Sequence, residues 1–418
     1  MNTLREEAMI IIHESVQAVL PDTAVQIALR NKEFEAGLVL VAIGKAAWNM
    51  AKAAKAVLGS KVKRGIVITK YDHSGGPIEN CEIIEAAHPV PDENSVLGTT
   101  KVLEMVSGLT ADDQVIFLIS GGGSSLFEKP LDGVSLEDIR ELTGRLLGCG
   151  ADIIEINTIR KHLSAVKGGR FARQCNGAKI YTIILSDVVG DRLDAIASGP
   201  ASADSTTSAD ALRILKKYNL PVGSQLEEAL GNETPKIIEH CETIVTGNVA
   251  ALCLAAEKAA GKLGYSTVVL STTIDCEAKE MGKLLASKVK EIQSARKSQF
   301  VPEPPCAVIF GGETIVRLTG NGKGGRNQEV ALAAALEIEG MEDVVVFSFG
   351  SDGTDGPTDA AGGLVDGQTL ARMRAGSIVP EDSLANNDSY HALKASGDLI
   401  ITGPTGTNVN DLMVILCR

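Results

Sequence analysis

Aromatic residues are scarce in this 418-residue chain, at 3% with a single Trp. That scarcity argues against a base-stacking platform for single-stranded nucleic acid. Positive charge is the minority sign, with 40 Lys and Arg against 53 Asp and Glu for a net charge of −13. An acidic chain repels a phosphate backbone, so nucleic-acid binding is not expected. A few local cations can still hold a small anion. No apolar run approaches the roughly 20 residues of a membrane helix, so no membrane partner is expected. The N-terminal stretch lacks the basic start and unbroken apolar core of a signal peptide. Glu6, Glu7 and Glu14 interrupt it, and it reads as an amphipathic helix. The eight cysteines form no Cys-x-x-Cys. They read as small buried thiols of a reduced, cytoplasmic protein, not as a disulfide or zinc framework.

What is present is ordinary globular composition, 44% apolar and 22% charged. At roughly 150 residues per domain the length suggests two or three domains. The recurring pattern is a short apolar strand, a glycine-rich turn, then a helix. Strands are expected at 39–43, 64–69, 115–119 and 180–185, with helical spacing between them. Buried strands alternating with helices predict an α/β fold with a mainly parallel, doubly wound sheet in the N-terminal half. The second half repeats the theme from 242 onward. The polar, proline-rich stretch 294–305 is the best linker candidate. Runs 306–310 and 314–318 flank Gly311-Gly312-Glu313 and are expected to pair as an antiparallel hairpin, making the C-terminal sheet mixed.

Glycine is concentrated in loops directly after strands, where open α/β sheets bind ligands. Lys45 follows Gly44 at a strand-to-helix turn, beside free N–H groups and the positive end of a helix dipole. Ser120, Gly121, Gly122, Gly123, Ser124 and Ser125 form a loop whose backbone can approach an oxyanion closely. Arg160, Lys161, His162, Lys167 and Arg170 crowd one stretch, suited to a carboxylate or phosphate. His162 by itself reads as a packed, hydrogen-bonded histidine. Asp187 and Asp191 follow a strand, where a carboxylate can hold Mg²⁺ with water completing the octahedron. In the C-terminal half, Arg326 closes a glycine loop just before a helix, and Asp352 is a second metal candidate.

Gly320-x-Gly322-x-x-Gly325 matches the dinucleotide fingerprint by spacing alone. Asp343 stands near the required separation but precedes its strand, and the loop does not open a βαβ unit. A nicotinamide site is therefore discounted, although an NAD(P)H-dependent hydroxypyruvate reductase remains the alternative reading. The P-loop, HExxH and G-x-S-x-G patterns are absent.

The loops, in this order, resemble the class II glycerate 2-kinase family, whose C-terminal portion is called MOFRL. The resemblance rests on GKAA (44–47), HPVPDENS (88–95), SGGGSSL (120–126), NTIRKHLSAVKGGR (157–170) and SDVVGDRLDAIASGP (186–200). It continues through GGET (311–314), GNGKGGRNQE (320–329), SDGTDGPTDAAGG (351–363) and TGPTGTNVNDL (402–412). It implies a larger Rossmann-like N-terminal domain and a smaller C-terminal α/β domain; the residues place their boundary near 240 or near 300, taken as 1–240 and 241–418 with the MOFRL region at about 305–412. It also implies ATP-dependent phosphorylation of D-glycerate on its 2-hydroxyl, with Mg²⁺. Lys45 and Arg326 become the catalytic candidates, from opposite domains. The 120–125 loop, Arg160, Lys167 and Asp191 become substrate and phosphate ligands, and Asp187 and Asp352 metal ligands. D-glycerate and ATP are the expected partners, and a homo-oligomer is compatible with this reading.

Overall fold

A computed structural model of the chain describes residues 3–188, 190, 192–294 and 302–418. The chain forms two compact units, Pro21–Thr246 and Met1–Leu20 with Gly247–Arg418.

The first unit is built on β1 (Leu38–Ile43), β2 (Val62–Lys70), β3 (Cys81–Ala86), β4 (Gln114–Ile119), β5 (Lys179–Leu185) and β6 (Cys241–Gly247), in the order β3-β2-β1-β4-β5-β6. The pairings among β1 to β5 are parallel. This is the doubly wound, Rossmann-like order, and the chain reverses direction across the sheet between β1 and β4. Every residue of β1 is buried. Alternate residues explain why. Val39, Val41 and Ile43 enter one core with Val115, Phe117 and Ile119. Leu38, Leu40 and Ala42 enter the opposite core with Ile116 and Leu118. A strand covered on both faces must be apolar throughout. Helices Pro21–Leu29 and Ala47–Leu58 cover one face; Glu93–Val106 and Arg170–Gln174 cover the other.

The second unit holds β7 (Ser266–Ile274), β8 (Cys306–Gly312), β9 (Val344–Gly350), β10 (Gly362–Asp366), β11 (Leu399–Ile400) and β12 (Asp411–Cys417), in the order β11-β10-β9-β12-β8-β7. Only β7 and β8 pair parallel, so the sheet is mixed. The expected hairpin does not form. Gly311 and Gly312 continue β8 instead of turning, and Ile315 makes only an isolated parallel bridge to Glu277. The antiparallel neighbour of β8 is the last strand, β12.

The division expected at 240/241 falls after Thr246, and residues 1–20 pack with the second unit, not the first. Helix Leu4–Ala18 buries Ala8, Ile11, Ile12 and Val16 against helix Val249–Lys262 and one face of the mixed sheet. Arg5 adds ion pairs to Asp366 at 2.5 Å and Asp398 at 2.7 Å. Most of the expected linker, 294–305, lies outside the described residues. Among those described, no helix is long and apolar enough to cross a membrane.

Candidate functional site

In the first unit the switch between β1 and β4 brings two glycine turns together. Ser120 N–H donates to the Ile43 carbonyl at 3.0 Å, and Lys45 N–H to the Gly121 carbonyl at 2.9 Å. Ser120 Oγ accepts from the Ala46 N–H at 3.0 Å. Gly44 has a φ of +115°, and a Cβ there would stand 2.3 Å from Ser120 Oγ, so only glycine fits. Ser120 therefore fastens the two turns together. Gly121, Gly122 and Ser124 are partly open to solvent, whereas Ser120, Gly123 and Ser125 are buried. Among the described residues the N–H groups of Gly121, Gly122 and Ser124 meet no acceptor. Such a row of free donors can hold an anionic oxygen.

The half-buried Lys45 side chain runs beside this row, its Cγ 3.3 Å from where a Cβ of Gly122 would lie. Its ammonium has no ion-pair partner among the described residues. Asp187, just past β5, sets its Oδ2 2.4 Å from the corresponding point on Gly121. A carboxylate, a lysine and unpaired N–H groups thus meet at the carboxyl ends of β1, β4 and β5. Asp191 lies outside the described residues.

The basic cluster supports this loop from below. Lys167 is fully buried, with Nζ 2.9 Å from Glu128 Oε2 and donating to the Phe127 carbonyl at 3.0 Å. Burial pulls its ammonium down to about 8, opposed by the carboxylate of Glu128. Arg160 Nη2 donates to the Ser124 carbonyl at 3.1 Å. Phe127 closes the loop by packing on Phe117 and Phe171, at ring separations of 6.0 and 5.4 Å. Lys161 pairs with Asp204 at 3.1 Å, and Arg170 Nη1 donates to the carbonyls of Lys161, His162 and Ser164. His162 is a buried core histidine whose Nδ1 meets the Thr158 carbonyl at 2.9 Å. Next to the loop, Ser198 Oγ lies 2.7 Å from Ser124 Oγ and donates to Asn157 Oδ1 at 3.3 Å. Ala197 and Ser198 both have positive φ, a strained backbone of the kind found near binding sites.

In the second unit Arg326 is the first residue of helix Arg326–Glu337. Its Nε and Nη2 donate to the two oxygens of Asp411 at 2.6 and 3.0 Å, and Nη1 donates to Glu313 at 2.8 Å. Asp411 is fully buried at the start of β12. Burial draws the guanidinium down, but Asp411 and then Glu313 outweigh it and hold it above the usual arginine range. A guanidinium has five N–H donors, so the fork keeps donors for a further anion. Asp355 caps the same helix, accepting from the N–H groups of Asn327 at 3.1 Å and Gln328 at 2.8 Å. Burial pushes its carboxyl up to about 6 against those hydrogen bonds. Asp352 makes a local turn, its Oδ1 accepting from the Thr354 N–H at 3.0 Å.

The glycine loop before Arg326 is occupied by its own fold. The N–H groups of Gly320, Asn321, Gly322 and Lys323 donate to Asn387, Asn386 and Asp388 at 2.9 to 3.1 Å. A pyrophosphate would find these donors taken, which removes the support for a nicotinamide site. Among the described residues no group of three His, Cys, Asp or Glu is arranged to hold a metal. A phosphate-carried Mg²⁺ needs only one or two protein carboxylates. Asp187 stands beside the loop, and Asp352 closes a local turn.

The sequence singles out Lys45, the 120–125 loop and Arg326, but not the individual residues Glu128, Asp411 and Ser198 that the structure sets against Lys167, Arg326 and Ser124. Asp411 stood inside a motif already singled out. Nothing in the spacing links it to Arg326, 85 residues away.

Two family models match, DUF4147, a domain of unknown function, over residues 7–231 and the MOFRL family over 306–411. The chain is 54% identical over 415 residues to the D-glycerate 2-kinase of Thermotoga maritima, covering 99% of this chain and 98% of that one. It is 42% identical over 439 residues to the glycerate 2-kinase of Pyrococcus horikoshii, covering 99% and 97%. A crystal structure of glycerate kinase from Thermotoga maritima superposes with a TM-score of 0.96 at 53% identity, covering 99% of both chains.

Proposed function

The chain belongs to the glycerate 2-kinase family that joins DUF4147 to MOFRL, and from that premise we propose that it transfers the γ-phosphoryl group of ATP to the 2-hydroxyl of D-glycerate. The products are 2-phospho-D-glycerate and ADP. The observation that carries this reading is the row of unpaired N–H groups at Gly121, Gly122 and Ser124 beside the Lys45 side chain. Phosphoryl transfer asks little covalent chemistry of a protein; it asks for positive charge and alignment.

Lys45 and Arg326 are the catalytic cations. A preorganised donor aimed at charge developing on a transferring group is worth several kcal/mol. The 120–125 loop binds anionic oxygens through Gly121, Gly122 and Ser124. Ser120, Ser125, Arg160 and Lys167 hold that loop in shape. Mg²⁺, when bound, supplies charge neutralisation to the phosphates, and Asp187 is the residue to hold it. Asp191 belongs to the same segment as a substrate ligand. Asp352 is the second metal candidate, at the turn it closes with Thr354.

The test is release of ADP on adding D-glycerate to protein and Mg²⁺-ATP, coupled to enolase without a mutase. Enolase accepts the 2-phospho product directly, so a signal is expected. Absence of glycerate-dependent ADP would reject the reading, and a signal that needs a mutase would move the phosphoryl group to the 3-hydroxyl. NAD(P)H with hydroxypyruvate is expected to show no oxidation.

A further inference from the structure

The motif HPVPDENS has no role in the assignments above, yet its first residue reaches the loop. His88 follows β3, and its half-buried ring borders Gly122. A Cβ on Gly122 would meet His88 Cδ2 at 2.8 Å and Nε2 at 3.1 Å, with Lys45 Cγ at 3.3 Å. Neither ring nitrogen has a hydrogen-bond partner among the described residues. The two neighbouring glycines are thus flanked by different chemistry, Gly121 by the Asp187 carboxylate and Gly122 by an imidazole.

Lysine ammoniums already provide the positive charge at this point. What those cations and the backbone N–H groups do not offer a hydroxy acid is a neutral group that can accept as well as donate. A neutral imidazole offers one N–H and one lone pair. Burial and the nearby cations Lys45, Lys70 and His73 keep the ring in that form, pushing it down to about 4.

We propose that His88 contacts the acceptor substrate, hydrogen-bonding an oxygen of the 2-hydroxy acid through Nε2 and setting acceptor specificity. This assignment rests on the kinase reading.

Steady-state kinetics of His88→Ala, His88→Gln and His88→Asn test it. The KM for D-glycerate should rise about 10- to 100-fold in His88→Ala, the range for a lost hydrogen bond to a charged ligand. The KM for ATP should stay unchanged. His88→Gln, whose amide nitrogen reaches the place of Nε2, should recover most of the loss. His88→Asn, which imitates Nδ1, should not. In the wild-type protein D-glycerate should protect His88 from diethyl pyrocarbonate, read by mass spectrometry, so the assignment stays testable if a variant fails to fold. An unchanged glycerate KM, equal losses for both substrates, or no protection would overturn it. A wild-type protein without glycerate-dependent turnover removes the kinase reading and this assignment together. A working kinase indifferent to His88 removes this assignment alone.

Discussion

At the scale of single residues, the site depends on how side chains are held. Arg326 is held by the buried carboxylate of Asp411 through two parallel hydrogen bonds. Lysine carries the same charge but no fork. Arg326→Lys should therefore lower kcat by about 10²- to 10³-fold, the effect of losing one oriented donor. It should also lower the melting temperature, because Asp411 is left without its bidentate partner; kinetics and thermal melts read the two losses separately. His88 makes a different prediction. Its folded value of about 4 lies below the ordinary 6.5. Between those values the unfolded chain takes up a proton that the folded protein refuses. Stability is therefore lost as pH falls from 6.5 towards 4. His88→Gln should flatten that part of the urea-midpoint profile. An equally steep profile in the variant would show that the ring does not contribute.

At the scale of elements, close approach governs more than propensity. Helix Arg326–Glu337, which presents the arginine, is buried on nearly all sides by its alanine-rich sequence. It packs on helix Ala278–Gln293 at Gly282, where a Cβ would stand 2.5 Å from the Val330 carbonyl oxygen and 2.6 Å from Ala333 Cβ. Replacing a helical glycine by alanine normally gains about 1 kcal/mol. Here the contact is with backbone, which cannot step aside, and overpacking costs about 1–3 kcal/mol. Gly282→Ala should thus destabilise the protein in chemical denaturation, and a higher midpoint would contradict this packing argument. The ion pair of Lys167 and Glu128 belongs to the same scale. It lies under the glycine loop, so Lys167→Ala should cost about 3–5 kcal/mol by leaving a buried carboxylate unpaired.

At the scale of the whole molecule, the first residues of the chain complete the C-terminal unit. Helix Leu4–Ala18 covers an apolar face, and Arg5 joins Asp366 and Asp398 while Glu7 pairs with Arg418 at 2.6 Å. Deleting residues 1–20 should expose that face and raise binding of a hydrophobic dye, with loss of the cooperative transition of this unit. An unchanged transition would show the helix to be an accessory. The helix was legible in the sequence, but its place was not, since an amphipathic helix shows that it has a partner but not which one. The parallel sheet was legible, because strands buried on both faces must be apolar and regularly spaced. So were Gly44-Lys45 and the 120–125 loop, because glycines after strands leave a local trace. Tertiary structure alone decided that β12 and not residues 314–318 pairs with β8, that Asp411 orients Arg326, and that Lys167 serves the loop from within. Those partners are distant along the chain, and periodicity and turn chemistry act only over a few residues. Which distant groups meet is decided by how whole layers pack.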